Sequence, residues 1–245
     1  MKDRFIAYDA YKKLAEKYAE IIDIKPHNAE YERPGLLKLM PSVQGKHVLD
    51  AGCGSGSLTE WLLERGAEVI GLDASPHMLE QALKRVKGKA DLRLHDLREP
   101  LGFIEDDSID LVASSLVMHY IDEVEPVFRE FHRVLKPGGL FVFSIEHPFT
   151  GFINRPSDSY YDVKVVTYDW KGFTDAPVSV PGYRRPLEDY TESLAHAGFC
   201  IERMTEPIPT ERFKDQLPES YARHMAYPLF MVIRARASKS NPPQP

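Results

Sequence analysis

The sequence predicts an α/β fold in which a parallel sheet carries helices on both faces. From Lys46 onward, short apolar runs alternate with amphipathic helical stretches. The segment VLDAGCGSGSLTEWL, residues 48–62, joins the first strand of this pattern to its first helix through a glycine-rich turn. With 245 residues, 43% of them hydrophobic, the chain can build one substantial core, and we expect a single domain over residues 1–245.

The N-terminal segment, residues 1–45, is predicted to form a helical cap. Between residues 4 and 24, apolar and aromatic side chains recur every three or four positions, which is typical of an amphipathic helix. They are Phe5, Tyr8, Tyr11, Leu14, Tyr18, Ile21 and Ile22. We expect this stripe to pack on the core; the alternative is that one of its tyrosines covers a ligand.

The central elements follow in regular order. HVLDAG, AEVIGLD and DLRLHDL are predicted strands, separated by the helices SLTEWLLERG and SPHMLEQALKRV. Ser75 and Pro76 are suited to the N-cap and first turn of the second helix. SIDLVASSLVMHY is then a strand and loop, EVEPVFREFHRVL a helix that KPGG ends, and GLFVFSIEH a central strand.

The C-terminal part continues the pattern with interruptions. Residues 148–185 are rich in proline and aromatic side chains and are predicted to form a lid-like insertion. PLEDYTESLAHAGF is a helix that Gly198 ends, CIERMTE and LFMVIRARA are strands, and residues 207–228 form a second excursion. Residues 238–245 are expected to be a flexible tail.

Composition restricts the function classes. A net charge of -6, with acids and bases interspersed, argues against a general affinity for nucleic acid or anionic membranes. No secretory signal or membrane span is evident, so we expect a cytoplasmic protein whose partner is a small molecule, as monomer or homodimer. Cys53 and Cys200 do not suggest a disulfide or a zinc site, and both are expected to be buried or packing thiols.

The glycine-rich turn does not match the standard nucleotide-binding loops. It contains Gly52, Gly54 and Gly56 after Asp50. A dinucleotide fingerprint needs G-x-G-x-x-G, and its last place falls on Ser57 or Thr59 here. A phosphate-binding Walker loop is excluded more plainly, since no G-K-[ST] closes the segment.

Acidic residues end the next two strands. Asp73 ends the second strand beside the glycine turn, where its carboxylate can accept hydrogen bonds from both hydroxyls of a ribose. Asp96 and the backbone of Leu97 follow the third strand, where an adenine ring on that ribose would need a donor and an acceptor. The ordered set predicts a nucleoside ligand.

The motifs VLDAGCGSG, GLDAS, HDL, IDLVASSLVMHYI and FREFHRVLKPGGLFVFSIEHP resemble, in order and spacing, those of the class I S-adenosylmethionine-dependent methyltransferases. Within them the chain is most similar to the methyltransferase type 11 group. The resemblance covers residues 45–147 and continues into PLEDYTESLAHAGFCIER. It implies a Rossmann-like three-layer αβα sandwich with seven strands, mostly parallel, the last antiparallel, and methyl transfer from S-adenosyl-L-methionine.

The resemblance also implies roles for individual residues. The backbone of the three glycines would contact the methionine part of the cofactor, and Asp73 would bind the ribose hydroxyls. Asp50 would hold the cofactor amino group or the loop. The adenine would be flanked by Ala74 and Met78 and held at its edge by Asp96 and Leu97, while the segment from Ser114 to Tyr120, with Ser115, would border the methionine and the sulfonium. Met78 taken alone also fits simple packing.

Candidate catalytic residues follow the fourth and fifth strands. Methyl transfer is an in-line displacement, so the enzyme aligns a nucleophile and excludes water, and a base helps where the nucleophile carries a proton. His119, Glu146 and His147 are candidate bases; each could equally serve packing or loop hydrogen bonding.

The lid and the N-terminal segment are predicted to enclose the acceptor. The lid offers aromatic walls and cations that suit a planar or carboxylated acceptor, or that merely pack over the sheet. They are Tyr160, Tyr161, Tyr168, Trp170, Phe173, Tyr183, Arg184 and Arg185. On the other side we expect Tyr18, Asn28 and Tyr31, of which Asn28 or Tyr31 could reach the cofactor carboxylate.

The leading hypothesis is a metal-independent methyltransferase acting on oxygen, nitrogen or carbon of a small organic acceptor. The nine histidines are scattered and predict no metal site. One alternative is a silent protein that binds S-adenosylmethionine or S-adenosylhomocysteine. Others are an NAD-dependent oxidoreductase, disfavoured by the glycine spacing, and a methyltransferase acting on a peptide or a carrier-bound acyl group.

Overall fold

The computed structural model describes residues 4–156 and 159–238, so residues 239–245 of the expected tail lie outside the described part. Seven strands form one sheet in the order β3-β2-β1-β4-β5-β9-β8. These strands are β1 (His47–Ala51), β2 (Glu68–Asp73), β3 (Asp91–Leu94), β4 (Ile109–Ser115), β5 (Leu135–Glu146), β8 (Phe199–Thr205) and β9 (Phe230–Ala237). Strands β1 to β5 pair in parallel, whereas β9 runs antiparallel to both β5 and β8. The predicted sandwich with an antiparallel last strand is confirmed.

Helices cover both faces of this sheet. The helices are α1 (Tyr8–Ile21), α2 (Arg33–Leu39), α3 (Ser57–Glu64), α4 (Pro76–Val86), α5 (Val124–Val134), α6 (Pro148–Asn154), α7 (Leu187–His196), α8 (Glu211–Gln216) and α9 (Pro218–Ala226). Ser75 is the N-cap of α4, where its side chain accepts a hydrogen bond from the Met78 N–H, as the sequence predicts. None of the helices in the described ranges is both long and apolar enough to cross a membrane.

The core lies on both faces because successive side chains of the central strands alternate between them. On β4, Val112 belongs to one buried cluster and its neighbours Leu111 and Ala113 to the other. Helices α5 and α7 cover the first cluster, in which the rings of Phe141 and Phe143 stack 4.4 Å apart. Helices α2 and α3 cover the second.

The strand order places a functional crevice at one edge of the sheet. The chain runs outward from β1 through β2 to β3, then returns to β4 on the other side of β1. The loops that leave β1 and β4 therefore diverge, and a crevice opens at the carboxyl ends of these two strands. The glycine turn and the segment after Ser115 line it from opposite sides.

Segments outside the sheet close over this crevice. The predicted lid region contains α6 and a two-stranded hairpin, β6 (Lys164–Trp170) with β7 (Val178–Arg184). The apolar face of α1 packs against this hairpin around Leu14, Phe173 and Val180. The second excursion contains α8 and α9, which lie beside a π-helical turn at Asn28–Glu32.

Candidate functional site

The glycine turn brings bare backbone to the edge of the crevice. Gly52 and Gly54 line the crevice with φ angles of +80° and +56°, a region that favours glycine. A Cβ atom on Gly52 would lie 2.4 Å from a methyl carbon of Val117, so no larger residue fits without displacement. The turn contains no lysine or arginine. It therefore presents backbone groups to a ligand without a charge that would select phosphate.

Gly56 has a different place from the one expected. Its Cβ position would lie 3.1 Å from Ala82 on α4, and Gly56 does not line the crevice. The structure thus uses this glycine for close packing of α3 against α4. The expected backbone contact between Gly56 and the methionine part of a cofactor does not fit this position.

Asp73 is fixed at the carboxyl end of β2. Its Oδ2 accepts a hydrogen bond from the Gly54 N–H and its Oδ1 one from the Ser75 N–H, both at 2.8 Å. Burial raises the pKa of Asp73 to about 6, although these two bonds act in the opposite direction. The carboxylate lines the crevice, where its remaining lone pairs can accept bonds from vicinal hydroxyls.

Asp50 lies beneath the turn rather than on the crevice. The Thr59 hydroxyl donates to its Oδ2 at 2.6 Å, and burial raises its pKa to about 7. Of the two roles that the sequence left open for this acid, the structure supports the one of holding the loop, since Asp50 ties β1 to the first turn of α3.

The residues that the sequence predicts around an adenine lie together on the crevice. Ala74, Met78, Asp96 and Leu97 all line it. Burial alone would raise the pKa of Asp96, but the hydrogen bonds from Arg98 outweigh this effect and lower it. The two side chains form an ion pair at 2.7 Å.

A buried carboxylate that the sequence analysis missed supports Ser115. The Ser115 hydroxyl donates to Oε1 of Glu32 at 2.9 Å, and the Ser144 hydroxyl donates to the same oxygen. Glu32 is completely buried, which raises its pKa. It therefore ties the π-helical turn to the ends of β4 and β5, where Ser115 lines the crevice.

Aromatic side chains from three segments cover the middle of the crevice. The Tyr11 hydroxyl donates to that of Tyr120 at 2.9 Å. The Tyr18 ring stacks on those of Trp170 and Phe173, with interplanar angles of 17° and 12°. The tyrosine stripe of α1 therefore both packs and lines the crevice, which unites the two roles considered for it.

Two of the three candidate bases face the crevice. His119 is buried there, and burial, followed by the charge of Arg185, lowers its pKa to about 3. Its imidazole is therefore neutral near pH 7. Glu146 also lines the crevice, and burial raises its pKa, while a hydrogen bond from Tyr168 acts against this rise.

His147 points elsewhere. Its Nε2 lies 2.8 Å from Oε1 of Glu206, and the residue does not line the crevice. Because neighbouring side chains at a strand end point to opposite sides, only Glu146 of the expected pair faces the crevice. The placement of His147 argues against its role as a base.

The lid contributes fewer side chains to the crevice than expected. Tyr168 and Trp170 line it, whereas Phe173 packs in the cluster behind them. Four of the other expected residues hold the structure instead. In the lid, the Tyr160 hydroxyl accepts a hydrogen bond from the Leu187 N–H, and Arg184 donates to the carbonyls of Ser159 and Asp162. Arg185 forms an ion pair with Asp189. On the other side of the crevice, the Tyr31 hydroxyl accepts a hydrogen bond from the Leu229 N–H. Tyr161 is exposed, Tyr183 lies off the crevice, and Asn28 lines it.

The cations that do line the crevice were not anticipated. They are Lys25, Arg155, Lys171 and Arg223. They come from the N-terminal segment, the lid and α9, so no local spacing in the sequence could have grouped all four. His224 on α9 also lines the crevice, and no local spacing in the sequence could have linked it to these cations.

Within residues 4–156 and 159–238, no three His, Cys, Asp or Glu side chains are grouped so that they could hold a metal ion. Both cysteines are free thiols. Cys53 is buried as expected, but Cys200 is exposed because it lies on the edge strand β8.

The crevice as a whole has a volume of about 910 Å³. Gly52, Gly54, Asp73 and Asp96 lie at one end, which we call the nucleoside half. Glu146, Arg155, Tyr168 and Arg223 lie at the other, which we call the acceptor half. Such a cavity can hold two small molecules side by side.

The chain is similar in sequence and in structure to known proteins. Residues 49–143 match the family model described as Methyltransferase domain. The structure of an S-adenosylmethionine-dependent methyltransferase from Mesorhizobium loti is 32% identical, covers 88% of this chain and 99% of its own, and superposes with a TM-score of 0.69.

Curated proteins are also similar in sequence. An uncharacterized protein from Haemophilus influenzae is 31% identical in an alignment of length 226 that covers 84% of this chain and 85% of that protein. A malonyl-[acyl-carrier protein] O-methyltransferase from Salmonella typhimurium is 33% identical over 137 residues, 55% of this chain and 51% of that enzyme. The second similarity thus spans about half of each protein.

Proposed function

This chain belongs to the S-adenosylmethionine-dependent methyltransferases, and from that premise we propose that it methylates an oxygen, nitrogen or carbon atom of a small organic acceptor, without a metal. Its cofactor is S-adenosyl-L-methionine, so the nicotinamide alternative no longer applies. The observation that carries the proposal is one continuous crevice with a nucleoside half and an acceptor half. A protein that only binds the cofactor would not need the second half.

The nucleoside half fits this cofactor. Asp73 offers a charged acceptor to ribose hydroxyls, and the backbone at Gly52 and Gly54 is open where a Cβ atom would intrude. The absence of lysine and arginine from the glycine turn suits a cofactor without phosphates. When bound, the cofactor supplies an electrophilic methyl group on a sulfonium.

The acceptor half supports a role for Glu146 as the base. Its carboxylate borders the crevice, and the Tyr168 hydroxyl donates a hydrogen bond to it. Because burial raises its pKa, the carboxylate is a stronger base than an exposed glutamate. We assign it the removal of the proton from the acceptor nucleophile. His119 is neutral and borders the same half, so it can accept a hydrogen bond that orients the acceptor.

Aromatic rings exclude water between the two halves. Tyr11, Tyr18, Tyr120 and Trp170 line the crevice in one contiguous group. Their ring faces are favourable surroundings for a cation such as a sulfonium. Water exclusion there would favour transfer to the acceptor over loss of the methyl group to solvent.

Calorimetry followed by an acceptor screen tests the proposal. Purified protein is titrated with S-adenosylhomocysteine and, separately, with NADH, and then incubated with methyl-labelled S-adenosylmethionine and a panel of phenols, amines and carboxylic acids. We expect saturable binding of S-adenosylhomocysteine alone and label transfer to at least one acceptor class. Binding of NADH in its place, or cofactor binding with no transfer to any acceptor, would contradict the proposal.

A carrier-bound acyl group is a second candidate acceptor. The sequence similarity to the malonyl-[acyl-carrier protein] O-methyltransferase favours it. Malonyl-[acyl-carrier protein] should therefore be included in the screen beside free malonate. Transfer to the carrier-bound form alone would replace the small-acceptor proposal.

A further inference from the structure

Four cationic side chains that form no salt bridge within the described ranges line the crevice. Lys25, Arg155, Lys171 and Arg223 line it. Within the described ranges, none of the four has a carboxylate at ion-pair distance, whereas arginines elsewhere, such as Arg133, pair with acids. Lys25 and Arg155 are partly buried, whereas Lys171 and Arg223 are exposed, so the charged groups of all four are open to a ligand that enters the crevice.

Neutral groups fix the two guanidinium groups. Arg155 donates from Nε to the Thr167 carbonyl at 2.9 Å and lies 3.7 Å over the Tyr168 ring. Arg223 donates from Nη2 to Oδ1 of Asn154, the neighbour of Arg155 in sequence, at 2.5 Å. These contacts orient both forks and leave further N–H donors available, while the charge of Arg155 also acts on the Glu146 carboxylate and opposes the rise of its pKa.

Two histidines, His27 and His224, line the crevice together with these cations. The His224 and His27 rings are 5.7 Å apart, and the ammonium of Lys25 lies 3.8 Å from the Phe173 ring centre. Burial lowers the pKa of Lys25 to about 8. Burial, followed by the charges of His224 and Lys25, lowers the pKa of His27 to about 4. An acidic neighbour would raise the pKa of Lys25 or His27, and neither group has one among the causes of its shift.

Four carboxylates share the crevice with these cations. Asp73 and Asp96 lie in the nucleoside half and have their own hydrogen-bond partners. In the acceptor half, Asp169 accepts a hydrogen bond from Ser179, and Glu146 accepts one from Tyr168. The crevice is thus lined by four lysine and arginine side chains and four carboxylates, of which Asp73 and Asp96 belong to the nucleoside half, in a chain whose net charge is -6.

We propose that the acceptor carries an anionic group, a carboxylate or a phosphate, and that Arg155 and Arg223 bind this group while the nucleophilic end of the acceptor reaches Glu146. This inference rests on the proposed function, since it assigns the acceptor class of the same crevice. Planar arginine forks match the oxygens of both anions. Arg155 lies over the ring of Tyr168, whose hydroxyl contacts Glu146. The proposed anion site therefore lies beside the proposed base.

Intrinsic fluorescence offers a direct binding test. The chain has two tryptophans, and only Trp170 lines the crevice, so Trp61→Phe leaves a single reporter there. This protein, saturated with S-adenosylhomocysteine, is titrated with benzoate, succinate and inorganic phosphate, and with the neutral benzamide and succinamide. We expect at least one anion to bind with an affinity at least tenfold above that of the neutral amides. The carboxylate and phosphate arms then identify which anion the site prefers.

Charge-removing variants test the assigned residues. The double variant Arg155→Gln with Arg223→Gln is expected to weaken anion binding at least tenfold and to leave the affinity for S-adenosylhomocysteine unchanged. Arg203→Gln, an exposed arginine on β8, is the matched control and should bind the anion as the parent does. If the double variant does not fold, Arg223→Gln alone replaces it, because Arg223 is exposed.

The outcomes separate this inference from the proposed function. Equal binding of anions and amides, unchanged anion binding in the arginine variant, or no saturable binding of any anion would overturn the inference. If S-adenosylhomocysteine still binds in calorimetry, the proposed function survives that result. Failure of the parent protein to bind S-adenosylhomocysteine would instead overturn the proposed function.

Discussion

The Asp73→Asn variant is expected to lose most of its affinity for S-adenosylhomocysteine while it keeps its fold. The two carboxylate oxygens accept separate hydrogen bonds, one from the Gly54 N–H and one from the Ser75 N–H. An amide has a single oxygen, so in either orientation its NH₂ group faces one of these donors. The variant therefore loses one anchoring bond as well as the negative charge offered to the ribose.

The loss of affinity follows from the difference between charged and neutral acceptors. A hydrogen bond to a charged group contributes about 1.5–3 kcal/mol and one to a neutral group about 0.5–1.5 kcal/mol. For two ribose hydroxyls the difference is about 2–3 kcal/mol. This corresponds to about 30-fold to 150-fold weaker binding.

The stability of the variant has two opposing contributions. A pKa of about 6 in place of 3.8 means that keeping Asp73 ionised at pH 7 costs the folded protein about 3 kcal/mol. The substitution removes this cost but leaves one buried donor unsatisfied, which costs about 1–3 kcal/mol. The free energy of unfolding is therefore expected to change by less than about 2 kcal/mol.

Calorimetric titration and thermal unfolding at pH 7 measure the two effects. Asp91→Asn is the matched control, because that carboxylate is exposed and lies at the far end of β3, where it pairs with Arg93. The control should bind S-adenosylhomocysteine as the parent does. An Asp73→Asn variant with parental affinity would refute the reasoning, and so would one that fails to fold at pH 7.

Three further predictions follow from the same geometry. Gly52→Ala should lower the free energy of unfolding by about 2–5 kcal/mol in denaturant titrations, because Gly52 has a φ of +80° and the added Cβ would lie 2.4 Å from a methyl carbon of Val117. Gly102→Ala is the control: the space around Gly102 is open, so the free energy of unfolding should change by less than about 1 kcal/mol. The affinity for S-adenosylhomocysteine should fall about tenfold between pH 7 and pH 5, because Asp73 takes up a proton below its pKa of about 6, whereas Asp73→Asn should give a flat profile. Glu146→Gln should reduce kcat about 10²-fold to 10⁴-fold and leave the cofactor affinity unchanged. His147→Gln should retain activity, because His147 pairs with Glu206 instead of facing the crevice. Full activity of Glu146→Gln would exclude Glu146 as the base.

The nucleoside half was predictable because its residues are close in sequence to the strand ends that position them. The glycine turn, Asp73 and Asp96 each follow a strand of the regular pattern, and parallel strands bring their carboxyl ends to one edge. Local rules therefore sufficed to predict that the glycine turn and these two acids meet at one edge of the sheet. They failed at Gly56, where packing against another helix decides the position.

The acceptor half was predicted only in outline. The lid aromatics Tyr168 and Trp170 line the crevice as expected, but Arg184 and Arg185 are buried in contacts with backbone and Asp189. The cations in the crevice come instead from segments such as the end of α6 and helix α9. No sequence spacing links these segments, so their proximity could not be predicted.

The sequence by itself determined the sheet pattern, the glycine turn and the cofactor class. The sheet pattern and the glycine turn depend on hydrophobic periodicity and on backbone conformations that individual residues impose, which are local properties of the chain, whereas the cofactor class is implied by the resemblance of the motifs to a known family. Only the tertiary structure decided that Glu146 rather than His147 faces the crevice, that Glu32 supports Ser115, and which cations surround the acceptor. Those features depend on contacts between segments far apart in the chain, which form only when the lid and the α8–α9 region pack over the sheet.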